Sequence, residues 1–307
     1  MPPWPLPPSV DAIYPSRPGG LTAPTLSNWQ FHYGGSGGVT FGAGQPIRVT
    51  LVEGLGGLPT INSQDQAFPR DTGEYVGVDA MGGRDITIDV SVQSGIVSEM
   101  SVLGGAVFAG GVIEQPLWFQ LPSLGTLCSM CRPRSRSSIW DPLVEVDRSW
   151  ASVIALHATD PRLYAQGASS SSASSGSGTV ALSVTNGGNV ETRPVVVLTG
   201  PQTVPQITNT TIGATVAFAT GTTIATGDQV VIDFSTPHTV QYFTGGITNA
   251  PWNGGTGPVY SVYNWLDQSA TSWWTLLPGV NALSLATTSG SLAAGALQVW
   301  HADATIL

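Results

Sequence analysis

Not one residue of this chain is lysine, and only six of 307 are glutamate. Those two residues are the usual fillers of exposed helix faces. Serine, threonine, glycine and valine stand in their place, and β-branched side chains suit pleated, half-buried surfaces. An all-β, mainly antiparallel chain follows. Charged residues make up 9% of the sequence, against ~25% in ordinary globular chains. Hydrophobic residues make up 41%, with ten tryptophans, which is enough for packed cores.

The same composition excludes several chemistries. Without lysine there is no Walker A site, no Schiff-base enzyme and no lysine general base. A net charge of −9 argues against tight binding to nucleic-acid phosphates, which needs clustered basic residues. Gly34-Gly35-Ser36-Gly37-Gly38 matches G-x-S-x-G, but no helix follows to make a nucleophile elbow. Cys128 and Cys131 form a single C-x-x-C, short of the four ligands of a structural zinc and without a βαβ context. We read them as reduced thiols in a turn. Asp85 and Asp89 share a strand face ~13 Å apart, too far for a glycosidase pair. We therefore expect no catalytic residue, no metal and no cofactor. Met-Pro-Pro-Trp-Pro lacks the regions of a signal peptide, so synthesis in a cytoplasm is expected.

Four segments are expected. Residues 1–24 hold eight of the 23 prolines and should lie extended on a surface or wander. Residues 25–168 form a β-sandwich or barrel-like domain with one short helix. Its clearest strand runs from Arg84, with Ile86, Ile88, Val90 and Val92 on one face and Asp85, Thr87, Asp89 and Ser91 on the other. Ile47, Val49 and Leu51 alternate in the same way, as do Leu117, Phe119 and Leu121, and Trp150, Ser152, Ile154 and Leu156. The helix has Ser98 as its N-cap, then Glu99, with Met100, Leu103 and Val107 on one side. Residues 169–178, SSSSASSGSG, read as a flexible linker. Residues 179–307 read as a second sandwich of short strands.

Three features suggest contact surfaces. Arg132, Arg134 and Arg136 alternate, so in a regular strand they share a face and can pair with a partner's carboxylates. Eight aromatics lie between Tyr242 and Trp274, and most are expected in the sandwich core. Trp252, in Ala-Pro-Trp-Asn-Gly-Gly, is the candidate for an exposed anchor.

The order of four motif groups resembles the siphophage distal tail protein, Dit. They are Trp29-Gln-Phe31 with Val52-Glu-Gly-Leu55, Pro69-Arg70 and Gly73; Gly83-Arg84-Asp-Ile-Thr-Ile88; Ala158-Thr-Asp160-Pro161-Arg162-Leu-Tyr164; and Asn186-Gly-Gly-Asn189 with Arg193-Pro194, Gly227-Asp228 and Trp274 to Asn281. The likeness covers about residues 25–307 and leaves residues 1–24 unmatched. It implies a galectin-like second domain and a homohexameric ring at the tail tip of a virion. The ring would join the tail tube protein to tail-associated lysin or receptor-binding proteins, and genomic DNA would slide through its lumen. Asp85 and Asp89 are the candidate lumen residues, since a DNA channel should not be basic. A galectin-type His-x-Asn-x-Arg pattern is missing, with Arg193 the one arginine of the second domain. The alternative is a carbohydrate-binding module, with a host-surface glycan on the 242–274 aromatics.

Overall fold

The computed structural model describes residues 21–307 apart from 36, 68–71, 73, 76, 78, 93–95, 110–113, 140–149, 248–250, 252–258 and 289–291. The chain divides into two compact units: the first ends at Gln166 and takes back residues 305–307, and the second runs from Gly167 to Ala304. Most of the proline-rich extension, Trp252, and the Pro69, Arg70 and Gly73 motif lie outside the described residues.

In the first unit a single antiparallel path runs through strands 39–42, 30–33, 115–121, 125–139, 150–158, 84–92 and 47–53. The strand Arg84–Val92 buries every second residue, with Ile86 and Ile88 at 0% exposure. Gly125–Ile139 is fifteen residues long and serves two sheets. Its first half pairs with Gln115–Leu121 and its second half with Trp150–Ala158. Residues from both halves, among them Phe31, Phe41, Ile88, Phe119 and Ile154, meet in one core. The outermost strands, Val39–Gly42 and Ile47–Glu53, are joined by four residues, which forces the sheet to curl. No ladder joins them, so the barrel-like unit expected is a curled, open sheet.

Two local expectations are corrected. The helix spans Ile96–Ala109 and starts before Ser98, which therefore lies in its first turn and is not its cap. Glu99 still meets the positive end of the helix dipole, and Leu103 and Val107 are buried. In Ile47–Glu53 a bulge between Val49 and Leu51 inserts one residue. The alternation shifts beyond it, so Val52 packs against the core and Leu51 is 50% exposed.

The second unit is a two-sheet sandwich. A six-stranded sheet in the order 169–172, 297–301, 195–199, 229–233, 239–243 and 259–261 faces a four-stranded sheet in the order 179–186, 279–286, 206–209 and 214–217. Val184, Leu198, Ile207, Ile232, Leu285 and Leu297 lie in the core between them. The serine stretch is not a free linker. Ser169–Ser172 pair antiparallel with Leu297–His301, and Ala173 is buried in the core. An edge strand is held by main-chain hydrogen bonds, which serine supplies as well as any residue.

Candidate interaction surfaces

The polar face of Arg84–Val92 lies in a row of small side chains. Register places Asp85 opposite His157 and Asp89 opposite Val153, and on the next strand Arg132 opposite His157 and Ser137 opposite Val153. Thr87, Ser91, Ala151, Ala155 and Ser135 fill the positions between. Asp85 accepts a hydrogen bond of 2.7 Å from Nδ1 of His157 while its own side chain is 80% exposed. Gly83 makes room for this pair, because a Cβ there would come within 2.7 Å of the His157 ring. The surface is hydroxyl-rich and carries exposed carboxylate.

The three arginines do not share a face. The ladder between Gly125–Ile139 and Trp150–Ala158 slips between Pro133 and Ser135, leaving Arg134 unpaired in a bulge. Proline cannot donate to a ladder, and a bulge is where a strand tolerates it. The extra residue inverts the alternation: Arg132 pairs with outward-facing His157, whereas Arg136 pairs with Ile154, which is buried. Arg136 lies 5.6 Å from the Trp150 ring centroid, and the lack of a side chain on Gly104 of the helix leaves room for its Nη1. Arg134 is exposed, so the surface cation of the three is the bulged one.

Motif residues picked out by pattern turn out to hold the frame. Arg84 is 2% exposed and donates from Nε to the Pro161 carbonyl (2.9 Å) and from Nη1 to those of Gly54 (2.7 Å) and Leu55 (2.8 Å). Burial lowers its pKa, and these carbonyls keep the cation solvated. Asp160 accepts from the Arg162 main chain (3.1 Å), from Arg162 Nη1 (3.2 Å) and from the Tyr164 hydroxyl (2.7 Å), closing the Asp-Pro-Arg turn. The clamp made by Arg84 had no sequence signal beyond its motif, since arginine is normally read as surface.

Cys128 and Cys131 lie on one strand, not in a turn, with Cys128 against Trp118 and Met130 and Cys131 in the main core. Residues three apart on a strand point to opposite faces, so the two thiols are not placed to pair. Burial raises both thiol pKa values, which leaves them unreactive.

In the second unit most of the aromatic run is structural. Phe243 and Trp274 are buried, and Phe234 packs on Trp274 with ring centroids 4.2 Å apart. Trp273 stacks on His238 at 4.0 Å and on Tyr263 at 6.1 Å. Among the described residues of the run, Tyr260 and Tyr263 are the exposed rings, at 46% and 38%. Asn186 and Asn281 are buried and satisfy turn backbones at the end of the sandwich, which explains the Asn-Gly-Gly and Pro-Gly-Val-Asn motifs. Among the described residues no His, Cys, Asp and Glu cluster could hold a metal ion.

No family model matches the sequence, and no curated protein matches it. Solved structures do match. The crystal structure of SPP1 Dit, described as a paradigm of the hub adsorption apparatus in phages that infect Gram-positive bacteria, aligns with a TM-score of 0.60 at 14% identity, over 90% of this chain and 98% of that one. The fold is that of SPP1 Dit. A chain of the phage P2 baseplate in its activated, calcium-containing conformation aligns with a TM-score of 0.50 at 8% identity, over 89% of this chain and 97% of that one. Both units therefore belong to the Dit fold, in agreement with the motif order in the sequence.

Proposed function

We propose that the chain is a non-enzymatic structural protein of a phage tail tip. Its first unit closes a homohexameric ring between the tail tube and the host-adsorption apparatus. The observation that carries this reading is the match to SPP1 Dit over nearly the whole of both chains. In the ring, the outer face of strand Arg84–Val92 lines the lumen. Thr, Ser, Ala and Val make up most of that face with Asp85 and Asp89, and Arg132 sits in one row with Asp85 and His157, so DNA phosphates find little to bind and DNA slides through it. Exposed Arg134 makes contacts between neighbours, while Arg132 stays beside His157 and Arg136 serves the core. The neighbours along the tail are a tube protein on one side and lysin or receptor-binding proteins on the other.

The sugar-binding reading retains Tyr260 and Tyr263 as exposed rings among the described residues, where the other rings of the run are packed. A cryo-electron reconstruction of the assembled protein tests the proposal. It should show the Asp85 and Asp89 face on the channel wall. A channel walled by Arg134, or particles without a channel, would refute it.

A further inference from the structure

An open groove of about 600 Å³ lies on the first unit, beside the edge strand Ile47–Glu53. Trp29, Phe31, Val49 and Leu51 give it an apolar wall, and Arg48 supplies its charge. Two separate backbone irregularities hold large apolar side chains in the open there. Trp29 has a φ of +63°, a region that bulky residues avoid, and is 57% exposed. The bulge between Val49 and Leu51 turns Leu51 out to 50% exposure. Strain and exposed apolar surface in one place mark a contact surface.

A second apolar surface stands on the same unit. Between strands Ile47–Glu53 and Arg84–Val92, outside the main sheet, Ile61–Asn62 pair with Ala80–Met81. Ile61 and Met81 are direct cross-strand partners, so their side chains lie on one face of this ribbon. They are 51% and 41% exposed, and Leu58 just before them is 78% exposed. A lone two-stranded ribbon is marginal in water. This one has a fixed base: Leu55 is buried, Arg84 holds the carbonyls of Gly54 and Leu55, and the Gly57 N–H donates to the main-chain oxygen of Leu307 (2.9 Å). It thus presents its apolar face from a rigid support. Leu58, Ile61 and Met81 take no part in lining the groove. The ribbon is also acidic, since residues 56–82 hold Asp65, Asp71, Glu74 and Asp79 against Arg70.

Taking the ring reading as given, we propose that these two surfaces meet between copies of the chain. Leu58, Ile61 and Met81 of one copy seat on Trp29, Phe31 and Leu51 of the next, and Asp79, exposed two residues before Met81, faces the exposed Arg48. The occupant is a second copy because ribbon and groove match in kind and in sign, apolar to apolar and acid to base, and every copy carries one of each. Ribbon and groove are different patches, so the contact is heterologous: each copy gives one ribbon and receives one, and the series closes as a ring.

Cysteine cross-linking in the full chain tests this, because Cys128 and Cys131 are both buried. Leu51→Cys and Ile61→Cys are made singly, co-expressed as a pair of single variants, and combined in one chain. Each sample is treated with a short bismaleimide, run on a denaturing gel and weighed by mass photometry. The double variant should give a ladder of covalent multimers. The co-expressed pair should give a dimer band that neither single variant gives alone. Arg48→Asp should weaken association roughly tenfold or more, and Asp79→Arg added to it should restore the loss. Rings that form without these cross-links would overturn the contact and leave the ring reading standing. Single chains at every concentration would overturn both. A cross-link confined within one chain of the double variant would assign the groove to the chain's own ribbon and overturn the contact. So would an Arg48→Asp protein that associates like the parent or is not rescued by Asp79→Arg.

Discussion

Arg84 donates to three main-chain carbonyls, which belong to the loop at Gly54-Leu55 and the turn at Pro161. Arg84→Ala leaves buried acceptors unpaired and should cost about 3 kcal/mol or more. Arg84→Lys should not rescue it, because an ammonium lacks the planar fork that spans two segments. Urea denaturation of the three proteins decides this. Ile88 is fully buried, and Ile88→Ala should cost ~2–5 kcal/mol in the same assay. His238 titrates in the opposite sense to a salt-bridged histidine. Burial against Trp273 depresses its pKa below the ordinary 6.5, further lowered by Arg193 and partly offset by Phe234 and Ser235 main-chain contacts and by Asp233. The folded state thus binds its proton less readily than the unfolded one. Its contribution is complete above pH 6.5 and is lost as pH falls below that value. Unfolding midpoints measured across this range should fall with acidification, and His238→Gln should flatten that part of the slope.

At the scale of elements, alternation was legible wherever a strand is regular and illegible wherever one extra residue enters. Arg84–Val92 and Trp150–Ala158 follow their period of two from end to end. Ile47–Glu53 follows it only as far as Val49, and Gly125–Ile139 only as far as Pro133. A bulge is set by the pairing partner and by tertiary curvature, neither of which is local in sequence, so plain alternation misplaces Leu51 and puts Arg136 on the same face as Arg132, which it does not share. The serine stretch misleads for a related reason: its hydrogen bonds go to Leu297–His301, more than a hundred residues away. Limited proteolysis of the native protein should therefore spare Ser169–Ser172, and rapid cutting there would contradict the pairing. The two cysteines should stay silent to a thiol reagent such as DTNB until denaturant is added. Fast native reaction of either would contradict the burial of that strand.

At the scale of the whole molecule, the order of motifs carried the fold where composition could only give its class. Glycine and asparagine turns, the Asp160 hub and the Arg84 clamp are spaced by the frame they close, so their sequence order reports the Dit fold at 14% identity. The surface proposed to line the lumen was less legible. Asp85 and Asp89 were placed on an outer face by alternation alone, but the small-residue row around them is visible only once strands 84–92, 125–139 and 150–158 are paired. The central claim is that this surface works in a ring. Mass photometry of the purified chain measures it directly: the account predicts a dominant species of six 31.8 kDa chains, and a protein that remains a single chain at every concentration accessible to the measurement would contradict it.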